Sequence, residues 1–211
     1  MGTNVGYHWL LPVLLVAAGA LACSSSPPRE KVLIPPRVDL ASFGNLALVE
    51  FSASGGERLG MLASREFLAA MQAAQPGTPV LELGDQRQLL QSLSRTNLDP
   101  HTVRAIGEKY HVDAIVVGNL DAHKVKPNVS FDSAVRWVTA SAELEGVLSA
   151  RILDTRTGAT LWSSGARGKK EVAHIDLSSG NVAGTGADDA RQELIEMLVG
   201  TTTADFWAHW Q

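Results

Sequence analysis

The stretches HVDAIVVGNL (111–120) and SARILDTRTGATLWSS (149–164) decide the fold of this chain. The first contains AIVVGNL (114–120), a continuous apolar run of strand length and the composition of a central strand buried on both faces. The second belongs to ASAELEGVLSARILD (140–154), which places Ala142, Leu144, Leu148, Ala150 and Ile152 on one parity and Glu143, Glu145 and Arg151 on the other, as a half-buried strand requires. At DTRTG (154–158) the chain turns, with Gly158 supplying a positive φ, and ATLWSSGARGK (159–169) returns as the hairpin partner.

Upstream of these strands the pattern alternates strand and helix. NLALVEF (45–51) reads as a strand, and Leu59, Leu62, Ala63, Phe67, Ala70 and Met71 then share one helical face. Gly55 and Gly56 precede that helix, but the Lys-Ser/Thr of a phosphate loop is missing and the glycine spacing fits no dinucleotide fingerprint, so they read as a turn. VLEL (80–83) is a second strand. Asp85 then reads as an N-cap with Gln88 three residues on, opening a helix whose stripe is Leu89, Leu90 and Leu93. Asp99-Pro100 repeats the signal for a helix carrying Val103, Ile106 and Tyr110. Downstream, Asp188 and Asp189 begin a last helix with Ala190, Leu194, Met197 and Leu198 on one stripe, and the chain ends TADFWAHWQ. The expected fold class is α/β: a mixed β-sheet covered by helices, in one domain of residues 41–211.

The chain has 211 residues, enough for one sizeable core, and a net charge of −4 with its basic residues scattered. It lacks the electrostatic footprint of a nucleic-acid binder, and no nucleic-acid partner is expected. The single cysteine, Cys23, excludes an intramolecular disulfide. It closes WLLPVLLVAAGALA (9–22), an uncharged run of the length of a secretory signal core and short of the roughly 20 residues that span a bilayer. Residues 1–22 therefore read as a signal peptide. Its end, Gly19-Ala20-Leu21-Ala22-Cys23, resembles the bacterial lipobox, with Ala20 where leucine is usual and no Lys or Arg before Cys23. That resemblance implies lipidation of Cys23. Ser24, in place of the aspartate that retains lipoproteins in the inner membrane, implies the periplasmic face of the outer membrane. Residues 23–40 form the anchor and a Pro/Ser-rich linker, whose two Pro-Pro pairs favour extended chain. From Ser24 to Asp39 the linker reaches about 50 Å at full stretch.

The order NLALVEF, helix, HVDAIVVGNL, SARILDTRTGATLWSS resembles the superfamily of bacterial envelope lipoproteins that includes CsgG, LpoB and the N-terminal domain of TolB. The resemblance runs from about Asn45 to the last helix. It is carried by Ala105-Ile106-Gly107 through Gly118 and by Asp154, Thr157, Gly158, Leu161, Trp162 and Ser163, the T-G-x-x-x-W turn being its most specific part. Where many members carry an arginine after the second strand, this chain has Gly84-Asp85. The resemblance implies a periplasmic domain that binds an envelope protein partner, as LpoB-like and TolB-like domains do, or a CsgG-like subunit of a secretion pore.

Enzymatic chemistry finds little support in the residues. No G-x-S-x-G elbow occurs. His8, His101, His111, His123, His174 and His209 show no HxH or HExxH spacing, and no CxxC is present, so neither a metal nor another cofactor is expected. The pair Glu143 and Glu145 reads as a solvated strand face, and Asp188 with Asp189 as complement to a helix dipole. A pore subunit needs two hairpins with strands of about 9–11 residues. NVSFDSAVRWV (128–138) alternates through Val129, Phe131, Val135 and Trp137 as one arm, though it carries Asp132 and Arg136; KKEVAHIDLSSGNVAGTGADD (169–189) reads as too short and too polar for two membrane-spanning strands. The expected function is a non-enzymatic, lipid-anchored adaptor in envelope assembly or secretion. Activation of a peptidoglycan synthase is the alternative, which the short linker disfavours. Phe206, Trp207 and Trp210 are the candidate partner interface, with core packing as the competing role for these aromatics. The sequence names neither the partner nor the oligomeric state.

Overall fold

Strand β1 (Leu46–Leu48) is buried along its whole length and lies between two parallel neighbours, β3 (Val80–Glu82) and β4 (Ala114–Ala122). The computed structural model describes residues 31–54, 56–122, 126–131, 138–176, 181–183 and 187–210. The chain divides into two compact units, one of residues 33–209 and the other of residues 1–32 with 210–211. In the second of these the described residues Lys31, Val32 and Trp210 are exposed.

After β1 the chain makes the short strand β2 (Ser52–Ala53), helix α1 (Glu57–Ala74), β3, helix α2 (Gln86–Ser92), helix α3 (Pro100–Tyr110) and β4. β5 (Lys126–Phe131), β6 (Val138–Asp154), β7 (Thr160–Asp176), β8 (Asn181–Ala183) and helix α4 (Ala187–Thr202) follow. The strands form an eight-stranded mixed sheet of order β3-β1-β4-β6-β7-β8, with β2 also pairing β4 and β5 also pairing β6. The first part is parallel, and from β4 onward the sheet is antiparallel. The fold is thus α/β with a mixed sheet packed against helices.

Helices α2 and α3 begin where their capping chemistry predicts. Asp85 Oδ1 accepts the Gln88 N–H at 2.9 Å and Asp99 Oδ1 accepts the Thr102 N–H at 2.7 Å, each satisfying an otherwise orphaned donor. That bond from Thr102 is the main cause holding the Asp99 carboxyl below its usual range. The β6–β7 turn is built on Asp154, which accepts the Thr157 N–H at 2.6 Å, while Gly158 takes φ +77°.

Burial alternates along β4 as its pairing on both sides demands. Ala114, Val116 and Leu120 point into one core with α1 and α4, where Phe67, Leu194 and Leu198 meet Leu144, Leu148 and Ile152 of β6. Ile115 and Val117 point into the other, against Leu89 of α2 and Val103 and Ile106 of α3. Helices therefore cover both faces of the parallel part. Further along, the second face of β6 and β7 is exposed at Glu143, Ser149, Arg151, Ser163, Arg167 and Lys169.

The region 169–189 contributes to an antiparallel hairpin: β7 runs on to Asp176, and His174, Ile175 and Asp176 pair with Ala183, Val182 and Asn181 of β8. β5 pairs β6 from Lys126↔Glu143 to Phe131↔Val138, so two hairpins extend the antiparallel end of the sheet. Backbone pairing makes strands of this polar sequence, because a ladder needs only N–H and C=O groups and tolerates charged side chains on an edge. Asp132, Val135, Arg136 and Trp137 lie outside the described residues.

Candidate functional site

The chain's C-terminal segment is fixed by one glutamine. Gln75, at the end of α1, accepts the Leu40 N–H on Oε1 at 2.8 Å and donates from Nε2 to the Val38 and Phe206 carbonyls at 2.6 and 3.1 Å. The Val38 N–H donates in turn to the Asp205 carbonyl at 3.1 Å. The segments at residues 37–40 and 205–206 are thereby tied to the same helix end, and a short 3-10 turn (Ala204–Phe206) aims the residues around it.

Of the three aromatic residues that the sequence proposes as a partner interface, Phe206 does not offer itself. It is 0 % exposed and packs tilted against Trp162 with ring centroids 4.7 Å apart and edge-on to Phe67 at 6.2 Å. The Trp162 indole N–H donates to Asp205 Oδ2 at 3.2 Å, which ties the residue before Phe206 to the ring that Phe206 packs against. Asp205 is held from outside by Arg37 at 3.2 Å. Trp207, the next residue, is 41 % exposed, and Trp210 is 65 % exposed. The structure therefore buries Phe206 in the core and leaves the two tryptophans at the surface. Cys23 lies outside the described residues.

The residue types that suggest chemistry are dispersed. His101 is exposed, its Nδ1 3.0 Å from Arg104, and His111 caps α3 in the left-handed conformation with φ 55°. Glu143 lies 3.8 Å from Lys169 across the exposed strand face, and Asp188 pairs with Arg191 at 2.7 Å. Among the described residues no group of three His, Cys, Asp or Glu side chains is placed to hold a metal ion. Among them, too, no helix is long and apolar enough to cross a membrane.

A feature the sequence did not single out lies beyond the ends of β1 and β3. Glu50, Glu57 and Asp85 come together around a crevice of about 280 Å³ that Phe51, Arg87 and Leu90 also line. Burial, followed by the charges of Asp85 and Glu57, raises the Glu50 carboxyl above its usual range. Arg87 balances part of this charge through Glu57 at 3.1 Å. Strand order could have pointed to this place, since α1, which follows β1 and β2, and α2, which follows β3, lie on opposite faces of the sheet.

No protein-family model matches the sequence, and no curated protein matches it. Solved structures do resemble the fold. One is the PelC dodecamer from Paraburkholderia phytofirmans, with TM-score 0.47 and 10 % identity over 85 % of this chain and 99 % of that one. Another is lipoprotein GNA1162 from Neisseria meningitidis, with TM-score 0.37 and 20 % identity over 60 % of this chain and 83 % of that one. A third is the LpoB C-terminal domain from Salmonella enterica, with TM-score 0.35 and 12 % identity over 59 % of this chain and 82 % of that one.

Proposed function

We propose that this protein is a lipoprotein of the bacterial cell envelope, anchored through acylated Cys23 to the periplasmic face of the outer membrane, and that it acts as a non-enzymatic adaptor for an envelope protein. The observation that carries this reading is the end of the apolar run at the chain's only cysteine, followed at once by the Pro/Ser-rich linker of residues 23–40. One acyl chain holds a protein to a bilayer only marginally, whereas the two or three of a bacterial lipoprotein hold it stably. Because residues 37–40 are tied to the folded body, the free linker ends before them, and the body then works within about 40 Å of its membrane. Trp207 supports the binding half of the reading: it is a large, exposed aromatic next to backbone tied down by Gln75, so little conformational freedom is lost when a partner covers it.

The test is photo-crosslinking in the intact envelope from a photoreactive residue at position 207. The adaptor reading predicts a discrete covalent adduct with one envelope protein, lost when Cys23→Ala prevents anchoring. An unchanged adduct pattern after loss of anchoring, or no adduct, contradicts it.

A second reading, a subunit of a secretion pore, is favoured by the two hairpins β5–β6 and β7–β8 at the antiparallel end of the sheet. Against it stands the sequence: residues 128–138 carry Asp132 and Arg136, and residues 169–189 are polar, where a charged side chain facing lipid near mid-bilayer costs about 2–4 kcal/mol. Conductance of the lipidated protein in planar bilayers separates the two: the adaptor gives none, the pore gives discrete channels.

A further inference from the structure

Helix α1 carries two different stripes. Ala63, Phe67 and Met71 are no more than 1 % exposed and face the sheet, whereas Met61 is 47 % exposed. Met61 belongs with Arg58, Leu62 and Arg65 to one wall of a groove of about 760 Å³, whose opposite wall is the first turn of α4. The four α1 residues stand at i, i+3, i+4 and i+7, so they form one continuous strip on the helix, apolar in the middle and guanidinium at both ends.

The charges of the groove do not cancel. Asp188 is held by Arg191 at 2.7 Å, and Glu57, beside Arg58, is held by Arg87 at 3.1 Å. Arg58 and Arg65 have no hydrogen-bond or ion-pair partner among the described residues, which leaves two cations facing the single unpaired carboxylate of Asp189. Exposed methionine adapts to irregular apolar partners, and arginine is enriched where interfaces form.

We propose that this groove receives a helical segment of the envelope partner that carries two carboxylates seven residues apart with apolar residues between them. A helix laid along α1 has the same rise, about 10.5 Å per seven residues, so carboxylates at i and i+7 meet Arg58 and Arg65 while side chains at i+3 and i+4 cover Met61 and Leu62. Each guanidinium offers a planar fork that matches a carboxylate. A segment with lysines at those places meets like charge at both ends. The inference rests on the adaptor reading and names the surface and the chemistry of its partner.

The test uses the full lipidated chain in detergent and two fluorescent Ala/Gln-based helical peptides, both with leucine at i+3 and i+4, one with glutamate and one with lysine at i and i+7. Fluorescence anisotropy is expected to show the glutamate peptide binding more tightly by roughly tenfold, as two exposed ion pairs allow, with the advantage shrinking in salt. The double variant Arg58→Glu, Arg65→Glu is expected to reverse the preference. Both positions are on the surface, so circular dichroism of the variant is expected to match that of the parent chain. Equal affinity for the two peptides, absence of binding by either, or a preference unchanged in the double variant overturns the inference. Photo-crosslinking separates its failure from that of the adaptor reading. A protein adduct from position 207 with none, or only lipid, from position 61 removes the groove and leaves the adaptor, whereas no protein adduct from either position removes both.

Discussion

Gly158 of the β6–β7 turn lies directly on Pro100, the first residue of α3: a β-carbon added to Gly158 would sit 2.5 Å from the Pro100 Cβ and 2.8 Å from its Cα. Two local signals, a turn glycine and an N-terminal helix proline, are therefore parts of one contact. Gly158 also holds φ +77°, where a β-branched residue is strained. Gly158→Val is expected to destabilise the fold by about 1–3 kcal/mol from backbone strain, with the clash against the rigid proline ring adding to it. Urea unfolding measures the loss, and an unchanged midpoint would show that the turn does not pack on α3.

The adjacent aromatics Phe206 and Trp207 are expected to separate cleanly. Phe206→Ala removes a ring with 0 % exposure from contact with Trp162 and Phe67, and cavity formation of this kind costs about 3–5 kcal/mol. Trp207→Ala is expected to stay within about 0.5 kcal/mol of the parent chain in stability while weakening partner crosslinking. Equal losses of stability in the two variants would mean that Trp207 is part of the core.

Ser64 links α1 to the strand it covers. Its hydroxyl accepts the buried Phe51 N–H at 2.7 Å and donates to the Gly60 carbonyl at 2.9 Å. Ser64→Ala leaves that N–H without its partner in the core, which costs about 1–3 kcal/mol. Thermal unfolding tests this, and a variant as stable as the parent contradicts it.

The raised carboxyl of Glu50 gives a pH dependence with a definite sign. Burial first, then Asp85 and Glu57, disfavour its charged form in the folded state. Its favourable contribution to stability is therefore complete below the unfolded-state pKa and is lost as pH rises through the folded-state value. Glu50→Gln is expected to raise the melting temperature at pH 7, with the gain vanishing below about pH 4, where the parent residue is protonated in both states. A gain that persists in acid would assign the effect to packing.

Local chemistry made much of this fold legible. Asp85, Asp99-Pro100 and Gly158 act through their own backbone neighbours, and the alternation from Leu144 to Ile152 follows from the two-residue period of a strand. What could not be read was set by distant partners. Nothing in FWAHW says which ring turns inward; the rings that surround Phe206, Trp162 and Phe67, come from distant parts of the chain. The sequence does not announce β8 and the far part of β7, because no apolar alternation marks them and their pairing lies in backbone groups. The crevice of Glu50, Glu57 and Asp85 is assembled from three elements, so no spacing in the chain announces it.

Intact-mass analysis of the protein extracted from bacterial membranes tests the proposed lipid anchor at Cys23 most directly. The predicted species lacks residues 1–22, begins at Cys23 and carries the added mass of two or three acyl chains. Recovery of an unlipidated chain that begins at any other residue would contradict the anchor and, with it, the placing of this domain at the outer membrane.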